Sequence, residues 1–377
     1  MKAIQITQPG EMQVVDLPMP QLHAGEVLVK IKYVGFCGSD LNTFLGRNPM
    51  VKMPVVPGHE VGAVIEQVGE GVNSSLQPGM IVTLNPYTNC GYCASCRNGR
   101  VNACEHNETL GVQRWGVMSE YAVVPQEKII PVSNPMSEKS DNENLKTQRL
   151  CKREQSELAR NLPSEANLIQ TSNLKPHECA LIEPMSVGFH AVARAQVVDN
   201  EFVMVIGCGM VGMGAIIRAA RRGSTVIAVD LDDEKLQLAK RVGASFAINS
   251  KTEDLHSRVQ EITSGLGCDA IIEAVGSPMT YVTAINEVSF TGRVVYIGYS
   301  KQDVAFQTKL FVQKELDIRG SRNALPADFR AVINYLQQGN CPTDELITAI
   351  VKPEKALEAM QKWAENPGKV FRILVEF

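Results

Sequence analysis

Four cysteines lie close together, with two, two and seven residues between them: Cys90, Cys93, Cys96 and Cys104. Four thiolates at such short spacing form a tetrahedral zinc site that leaves no position for substrate, so the metal stabilises the surrounding fold. An iron–sulfur cluster is the alternative, because a CxxCxxC run also occurs in ferredoxins. We therefore expect a structural metal site here, with zinc as the favoured ion, rather than four unrelated buried thiols.

A second set of potential metal ligands is scattered along the chain and consists of Cys37, His59, Glu60 and Glu183. A thiolate, an imidazole and carboxylates form a mixed set that zinc accepts, and fewer than four strong ligands leave room for water or substrate. Their spacing alone does not show that these residues converge. The residues therefore leave two interpretations open, a catalytic metal site or ordinary core packing, with Ser39 and Asp40 as helix caps.

A glycine-rich motif follows the expected strand 203–206 and precedes an expected helix; it comprises Gly207, Gly209, Met210, Val211 and Gly212. In this context the glycines permit a tight turn, close approach of a pyrophosphate and close packing of helix on strand. The positive end of the helix dipole favours the phosphate charge. The motif predicts a dinucleotide-binding site, whereas a glycine turn without a ligand is the alternative.

Asp230 lies at the end of the next expected strand, where it can accept hydrogen bonds from the adenosine ribose. Asp232 and Asp233 follow it, and position 231 is a leucine rather than an arginine. Two like charges about 4 Å apart repel by about 4 kcal/mol at an effective dielectric constant of about 20. The 2′-phosphate of NADP would meet this repulsion, so we expect NAD to be the preferred cofactor.

The secondary structure expected to position these residues is of two kinds, one along the first 130 residues and another from residue 201 onward. The first 130 residues carry short alternating strands typical of a β-barrel, at 26–34, 62–68 and 80–84. From residue 201 onward, strands alternate with helices, which predicts an α/β fold with a doubly wound parallel sheet. The expected strands are 203–206, 226–229, 270–272 and 294–297, and the expected helices are 210–222, 233–242, 280–288 and 327–337.

The expected domains are 1–185, which holds both metal sites, 186–322, which binds the dinucleotide, and 323–377, which returns to the first domain through a strand at 370–375. The polar segment 135–172 is expected to be an exposed, partly disordered insertion, with an oligomer contact or a lid near the cleft as the alternative. The net charge of −4 does not favour a nucleic-acid or membrane partner, and no apolar stretch reaches the ~20 residues of a membrane span. These features favour a cytoplasmic protein.

Together, the motifs at 37–40, 58–60, 183–188 and 320–323 resemble the zinc-containing medium-chain alcohol dehydrogenase family, in its branch of sorbitol and L-galactonate or L-gulonate 5-dehydrogenases. The resemblance implies a GroES-like catalytic domain, a Rossmann domain for NAD, a structural zinc ion at the cysteine cluster and a catalytic one held by Cys37 and His59. It implies that Glu60 and Glu183 bind the catalytic zinc directly or through water, and that Ser39 accepts the substrate proton. The substrate would be a sugar acid or polyol, and the assembly a homodimer or homotetramer.

Two features depart from the family pattern. Asn42 occupies the position of a histidine that often relays protons, and the segment 135–172 is an addition. A substrate acid group would require a cation, for which Arg114, Lys309 and Arg322 are candidates. A threonine or diol dehydrogenase of the same family, and a zinc-stabilised dinucleotide-binding protein without turnover, remain the alternative functions.

Overall fold

The computed structural model describes residues 1–133 and 174–377. The expected insertion at 135–172 lies outside the described residues. Among the helices that are described, none is long and apolar enough to cross a membrane.

The first part of the chain is built mainly from strands. In chain order its elements are β1 (Lys2–Gln8), β2 (Glu11–Asp16), β3 (Glu26–Phe36), α1 (Gly38–Phe44), β4 (Glu60–Val68), β5 (Ile81–Leu84), α2 (Ala94–Arg97), β6 (Tyr121–Pro125) and β7 (Ile129–Pro131). The long strand β3 pairs with β4 and β6, while β1 and β2 form a separate antiparallel hairpin. Alternate residues of β3, including Val27, Val29 and Ile31, are buried in one apolar core. The expected β-rich domain is confirmed.

Strands and helices alternate in the second part. Its elements are α3 (Pro176–Cys179), α4 (Ile182–Ala195), β8 (Phe202–Ile206), α5 (Met210–Ala220), β9 (Thr225–Asp230), α6 (Asp233–Arg241), β10 (Phe246–Asn249), α7 (Leu255–Ile262), β11 (Cys268–Glu273), α8 (Pro278–Glu287), β12 (Val288–Tyr296), α9 (Lys309–Gln313) and β13 (Asp317–Gly320). The strand order is β10-β9-β8-β11-β12-β13, and all neighbouring pairs are parallel. The expected doubly wound parallel sheet is thereby confirmed.

The final part of the chain contributes to both cores. It contains α10 (Pro326–Leu336), α11 (Thr343–Leu346), β14 (Ala349–Val351), α12 (Ala356–Glu365) and β15 (Ile373–Glu376). Strand β15 lies antiparallel to β3, with Val375 opposite Val34, so the chain does return to the first sheet. Helix α10 instead packs against α4, through a core that includes Phe329 and Val332. The exact domain boundaries stay a prediction.

Helices α4 and α5 approach each other so closely that only glycine fits at their contact. A Cβ atom on Gly188 would lie 2.2 Å from the carbonyl oxygen of Val211, and one on Gly214 would lie 2.5 Å from that of Met185. Because α4 begins near Glu183 and α5 carries the glycine motif, this contact fixes one candidate site relative to the other.

We expect Gly214→Ala to destabilise the protein even though alanine is the better helix former. Helix propensity alone would favour the variant by about 1 kcal/mol, whereas overpacking of a tight contact costs about 1–3 kcal/mol. The thermal unfolding midpoint of the variant should therefore fall. Gly368→Ala is the matched control, because its added methyl group meets no described atom within 4 Å. A higher midpoint for Gly214→Ala than for wild type would contradict the tight contact.

Candidate functional site

The four clustered cysteines meet around one point. Their sulfur atoms all lie within 4.8 Å of one another, at Cys90, Cys93, Cys96 and Cys104. The Sγ atoms of Cys93 and Cys104 are 3.8 Å apart, and those of Cys90 and Cys96 are 4.0 Å apart. A tetrahedron with zinc–sulfur bonds of about 2.3 Å has edges of about 3.8 Å, so these thiols fit a single zinc ion. An iron–sulfur cluster would place several atoms between its thiolates and require wider spacing.

Local hydrogen bonds reach Cys90, Cys93 and Cys104, whereas burial raises the pKa of Cys96 to about 11. The backbone N–H of Cys93 donates to Cys90 Sγ, and that of Cys90 donates to Cys104 Sγ, each at 3.3 Å. The Ser95 hydroxyl and nearby backbone N–H groups lower the pKa of Cys93 to about 5. A thiolate rather than a thiol is the form that binds metal.

The second set of expected ligands also converges. Two overlapping groups share His59. In one, the ligand atoms of His59, Glu60 and Glu183 all lie within 4.8 Å of one another, and in the other those of Cys37, Asp40 and His59 do. All five side chains are buried. Cys37 immediately precedes α1, Glu60 begins β4, and Glu183 lies in the first turn of α4. Three separate elements therefore bring together residues that sequence spacing alone could not connect.

Cys37, rather than Ser39, is the N-cap of α1, so the alternative that Ser39 caps this helix is wrong. The Cys37 Sγ accepts the backbone N–H of Ser39 at 3.2 Å, and the Asp40 carboxylate accepts that of Cys37 at 2.9 Å. The Ser39 hydroxyl is thereby left beside the sulfur, with its Oγ 2.6 Å from Cys37 Sγ. Asp40 completes the capping box by accepting the backbone N–H of Cys37, which agrees with the expectation that Asp40 takes part in capping.

Burial and neighbouring charges shift the pKa values of this cluster. Burial raises the pKa of Glu60 to about 7, although Arg372 lies 3.1 Å from its carboxylate and opposes the shift. Burial alone would lower the pKa of His59, but the neighbouring Cys37, Glu183 and Asp40 raise it well above its usual range. The cluster thus holds more potential negative charge than its protein neighbours neutralise.

Several buried atoms in this cluster have no hydrogen-bond partner among the described residues, namely Asp40 Oδ1, His59 Nδ1 and Glu60 Oε2. An unpaired buried polar group costs about 1–3 kcal/mol. A divalent cation would satisfy lone pairs of the imidazole and carboxylates, and the sulfur, nitrogen and oxygen donors suit zinc. The residues present therefore fit the metal that the donor set predicts.

Two supporting residues of this cluster were missed by the sequence analysis. The Tyr87 hydroxyl donates to Glu183 Oε1, and Arg372 pairs with Glu60. Both hold a carboxylate in place, as residues around metal ligands commonly do. Neither residue belongs to a local sequence motif. Arg372, for example, reaches the site through the pairing of β15 with β3.

The glycine motif adopts the geometry that a dinucleotide requires. Gly207 has φ +97, and a Cβ atom on Gly212 would lie 1.8 Å from the Gly207 carbonyl oxygen. A Cβ atom on Gly209 would meet no described atom within 4 Å, so this side of the loop is open. Helix α5 starts at Met210, directly behind that opening. The arrangement can accept a pyrophosphate at the helix N-terminus.

Asp230 ties the glycine loop to the end of β9. Its carboxylate accepts the backbone N–H of Cys208 and that of Leu231, both at 2.7 Å. Asp232 caps α6 and pairs with Lys369 at 2.7 Å. Lys369 therefore partly neutralises the acidic cluster expected beside the ribose, whereas Asp230 and Asp233 form no ion pair with a described residue.

The structure separates the three candidate cations for a substrate acid group. A guanidinium nitrogen of Arg322 donates to the carbonyl of Cys104 at 3.3 Å, and Lys309 is exposed at the start of α9. Arg114 is half-buried, and its Nε has no described hydrogen-bond partner. The structure also places a lysine beside Asn42, whose Oδ1 accepts from Lys301 Nζ at 2.9 Å. Lys301 had no sequence signal, because it lies in the loop after β12.

The sequence and fold of this chain are similar to those of known proteins. Residues 23–134 match the family model described as "Alcohol dehydrogenase GroES-like domain", and residues 211–338 match "Zinc-binding dehydrogenase". The starvation-sensing protein RspB of Escherichia coli K12 is 30% identical over 100% of this chain and 99% of its own. L-galactonate-5-dehydrogenase of the same organism is 29% identical, over 92% of this chain and 91% of its own. A structure described as a short chain alcohol dehydrogenase (rspB) from E. coli CFT073 with NADH has a TM-score of 0.82 at 29% identity, covering 100% of this chain and 99% of its own.

We expect Tyr87→Phe to weaken metal binding at the cluster around Cys37 while leaving the four-cysteine site unchanged. Loss of the hydroxyl frees the Glu183 carboxylate, and loss of such a supporting contact typically costs about 10- to 100-fold in metal affinity. Metal analysis after dialysis against graded chelator should show about two zinc ions per wild-type chain and selective loss of one from the variant.

Two cysteine variants serve as the positive and negative controls for this metal analysis. Cys37→Ser removes a proposed ligand and should retain only the zinc of the four-cysteine site. Cys341→Ser, outside both clusters, should retain both ions. Equal chelator resistance of Tyr87→Phe and wild type would show that Tyr87 does not support the metal site.

Proposed function

The chain belongs to the zinc-containing medium-chain alcohol dehydrogenase family, and we propose that it oxidises a secondary hydroxyl of a sugar acid or polyol to a ketone, with NAD as the hydride acceptor. The observation that carries this proposal is that Cys37, on one side, and Glu60 with Glu183, on the other, each approach the buried His59 closely enough to share a metal ion with it. A glutamate at position 183 is typical of the sugar branch that the sequence resembles. The similarity to L-galactonate-5-dehydrogenase supports the same substrate class.

Each residue of the cluster has a proposed role. Cys37 and His59 would hold the catalytic zinc, and the four-cysteine site would hold the structural one. Glu60, fixed by Arg372, and Glu183, fixed by Tyr87, offer carboxylates that bind the metal directly or through water. When bound, zinc supplies Lewis acidity that lowers the pKa of the substrate hydroxyl, and NAD supplies the hydride acceptor.

The proton of the substrate hydroxyl requires a path to solvent. Ser39 Oγ lies 2.6 Å from Cys37 Sγ, and we propose that this hydroxyl accepts the proton. Asn42, on the same helix, cannot titrate, so the proton continues from Ser39 toward the cofactor ribose and water. Lys301 fixes the orientation of the Asn42 amide at this side of the cleft.

The alternatives differ in what they require. A threonine or diol dehydrogenase would use the same metal site and differ only in the substrate pocket. A binding protein without turnover has no need for a buried cluster with unpaired donors in addition to the four-cysteine site. We also propose a homodimer or homotetramer, in which β13, at the edge of the parallel sheet and with Ile318 43% exposed, forms a contact.

Purified enzyme should reduce NAD with a polyol or aldonate that carries a secondary hydroxyl, and should not do so with L-threonine. Absorbance of NADH at neutral to alkaline pH, over a panel of alditols, aldonates, diols and amino acids, measures this directly. Product analysis should identify a ketone. Turnover of threonine alone would favour the first alternative, and no turnover with any alcohol at full zinc occupancy would favour the binding protein.

Asp230→Asn should reduce the preference for NAD over NADP while leaving the fold intact. The amide keeps an acceptor for the backbone but removes the charge facing the expected position of the 2′-phosphate. The ratio of kcat/KM values should fall by at most about a thousand-fold, equivalent to about 4 kcal/mol of repulsion. Glu234→Gln is the control, because this glutamate is exposed on α6. An unchanged ratio would mean that Asp230 does not discriminate between the cofactors.

A further inference from the structure

A short loop, residues 109–116, is fastened to the backbone that presents His59. A Cβ atom on Gly111 would lie 2.6 Å from the Gly58 nitrogen, and one on Gly116 would lie 2.4 Å from the Gly58 carbonyl oxygen. The N–H of Gly116 also donates to Val56 at 2.6 Å. The two ends of the loop are therefore fixed against the segment that immediately precedes a proposed zinc ligand.

Arg114 lies between these two anchored glycines. Its carbonyl accepts the N–H of Gly111 at 2.9 Å, which closes the loop on itself. The side chain is half-buried and its Nε is buried without a hydrogen-bond partner among the described residues. Among the described residues, no carboxylate oxygen lies within 4.0 Å of an Arg114 nitrogen, so Arg114 forms no ion pair. Burial lowers the pKa of Arg114, and the more distant charge of Glu108 opposes this shift. Arg114 is thus a fixed cation without an anion.

A second cation stands close to it. Lys128 is half-buried, and its Nζ donates to the backbone carbonyl of Tyr87 at 2.8 Å. Burial and the charge of Arg114 lower the pKa of Lys128, and Glu127 opposes this without forming an ion pair. The side chain of Tyr87 reaches Glu183 in turn. Lys128 is therefore joined to the proposed metal site through Tyr87, and Arg114 is near enough for its charge to act on Lys128.

Holding two half-buried cations together is unfavourable unless a negative charge lies between or beside them. The other candidate cations are less suited to this role. Lys309 is exposed, and Arg322 lines a pocket with Arg100 and Arg194 that contains none of the proposed catalytic ligands. A guanidinium recognises carboxylate and phosphate through paired N–H donors, so an oxyanion is the ligand that suits Arg114.

We propose that Arg114, with Lys128 beside it, binds an oxyanion of the substrate while the reacting hydroxyl lies at the cluster of Cys37, His59 and Glu183. This inference rests on the proposed function and narrows it. The substrate is a sugar acid or a sugar phosphate, and a neutral polyol is a poor substitute because it leaves both cations unpaired. Arg114 is therefore a specificity-determining residue.

The test compares the zinc-loaded enzyme and its Arg114→Ala variant on a neutral alditol, the corresponding aldonate and the corresponding alditol phosphate. We expect wild type to prefer one of the two anions, and the preferred anion identifies whether carboxylate or phosphate is recognised. In Arg114→Ala, kcat/KM for that anion should fall about 10- to 100-fold, mainly through KM, with little change for the alditol. Arg114→Lys should recover part of the loss, because it keeps the charge but not the paired donors.

Lys309→Ala is the matched control and should leave kcat/KM unchanged for the anion and the alditol alike. Zinc content and thermal unfolding of each variant show whether folding is intact. A wild-type preference for the neutral alditol, or equal losses by Arg114→Ala on neutral and anionic substrates, would overturn the proposal.

Binding separates this inference from the proposed function. Quenching of NADH fluorescence by the aldonate and by the alditol phosphate is titrated in wild-type and Arg114→Ala complexes. If no alcohol is oxidised but one anion binds wild type at least 10-fold more tightly than the variant, the oxyanion site stands and the proposed reaction falls. If neither anion binds wild type more tightly than the variant, the oxyanion site is refuted whatever the turnover.

Discussion

The structure depends on the burial of several acidic groups around one imidazole. Cys37, Glu60 and Glu183 approach His59 in a region from which water is largely excluded, and Glu60 is only 1% exposed. Such a cluster is stable only when positive charge compensates it, because isolated buried charges are costly. Arg372 compensates one carboxylate. A divalent metal would satisfy the remaining sulfur, nitrogen and oxygen donors and take the place of the protons that otherwise reduce the charge of the cluster.

This need for compensation explains why distant parts of the chain meet at one place. Arg372 arrives through the last strand, which pairs with β3 only after the chain has completed the parallel sheet. Glu183 arrives on α4, and α4 is fixed against the glycine-motif helix by two contacts that exclude any side chain. Tyr87 lies only three residues before the cysteine cluster, so the structural metal site and the proposed catalytic one are also connected along the backbone. The centre therefore depends on the return of the last strand to β3 and on the packing of α4 against the glycine-motif helix.

Local patterns in the sequence predicted the features that depend on local chemistry. The cysteine spacing gave a compact thiol cluster, and the glycine motif gave a strand, a turn and a helix in the expected order. Strands β10 and β13 were missed because they are short, and β13 (Asp317–Gly320) lacks the buried apolar run that marks an inner strand. The end of the chain was expected to be a strand from residue 370, but β15 starts at Ile373, after a 3₁₀ turn at Pro367–Lys369.

Features that depend on tertiary contacts had no such signal. Spacing could not show that Cys37 and Glu183 meet, and it gave no indication of Tyr87, Arg372 or Lys301. The role of Ser39 was also ambiguous, because serine is a common N-cap; only the structure shows the cysteine sulfur in that position. The sequence also showed no sign that the acidic cluster after β9 is partly neutralised. Lys369, near the end of the chain, pairs with Asp232.

The acidic side chains of the proposed metal site and the cations Arg114 and Lys128 together determine which substrate charge is favourable. With a divalent ion bound, one thiolate and the carboxylates of Asp40, Glu60 and Glu183 bring the proposed metal site to a net charge near −2, and Arg372 brings it near −1. An anionic substrate would still lie close to Glu183, whose carboxylate would repel it at short range. In the proposed complex, Arg114 and Lys128 would offset this repulsion, and Lys128 is linked to Glu183 through Tyr87. A neutral substrate needs no such cations, so their burial near the metal ligands is best explained by a ligand that carries its own negative charge.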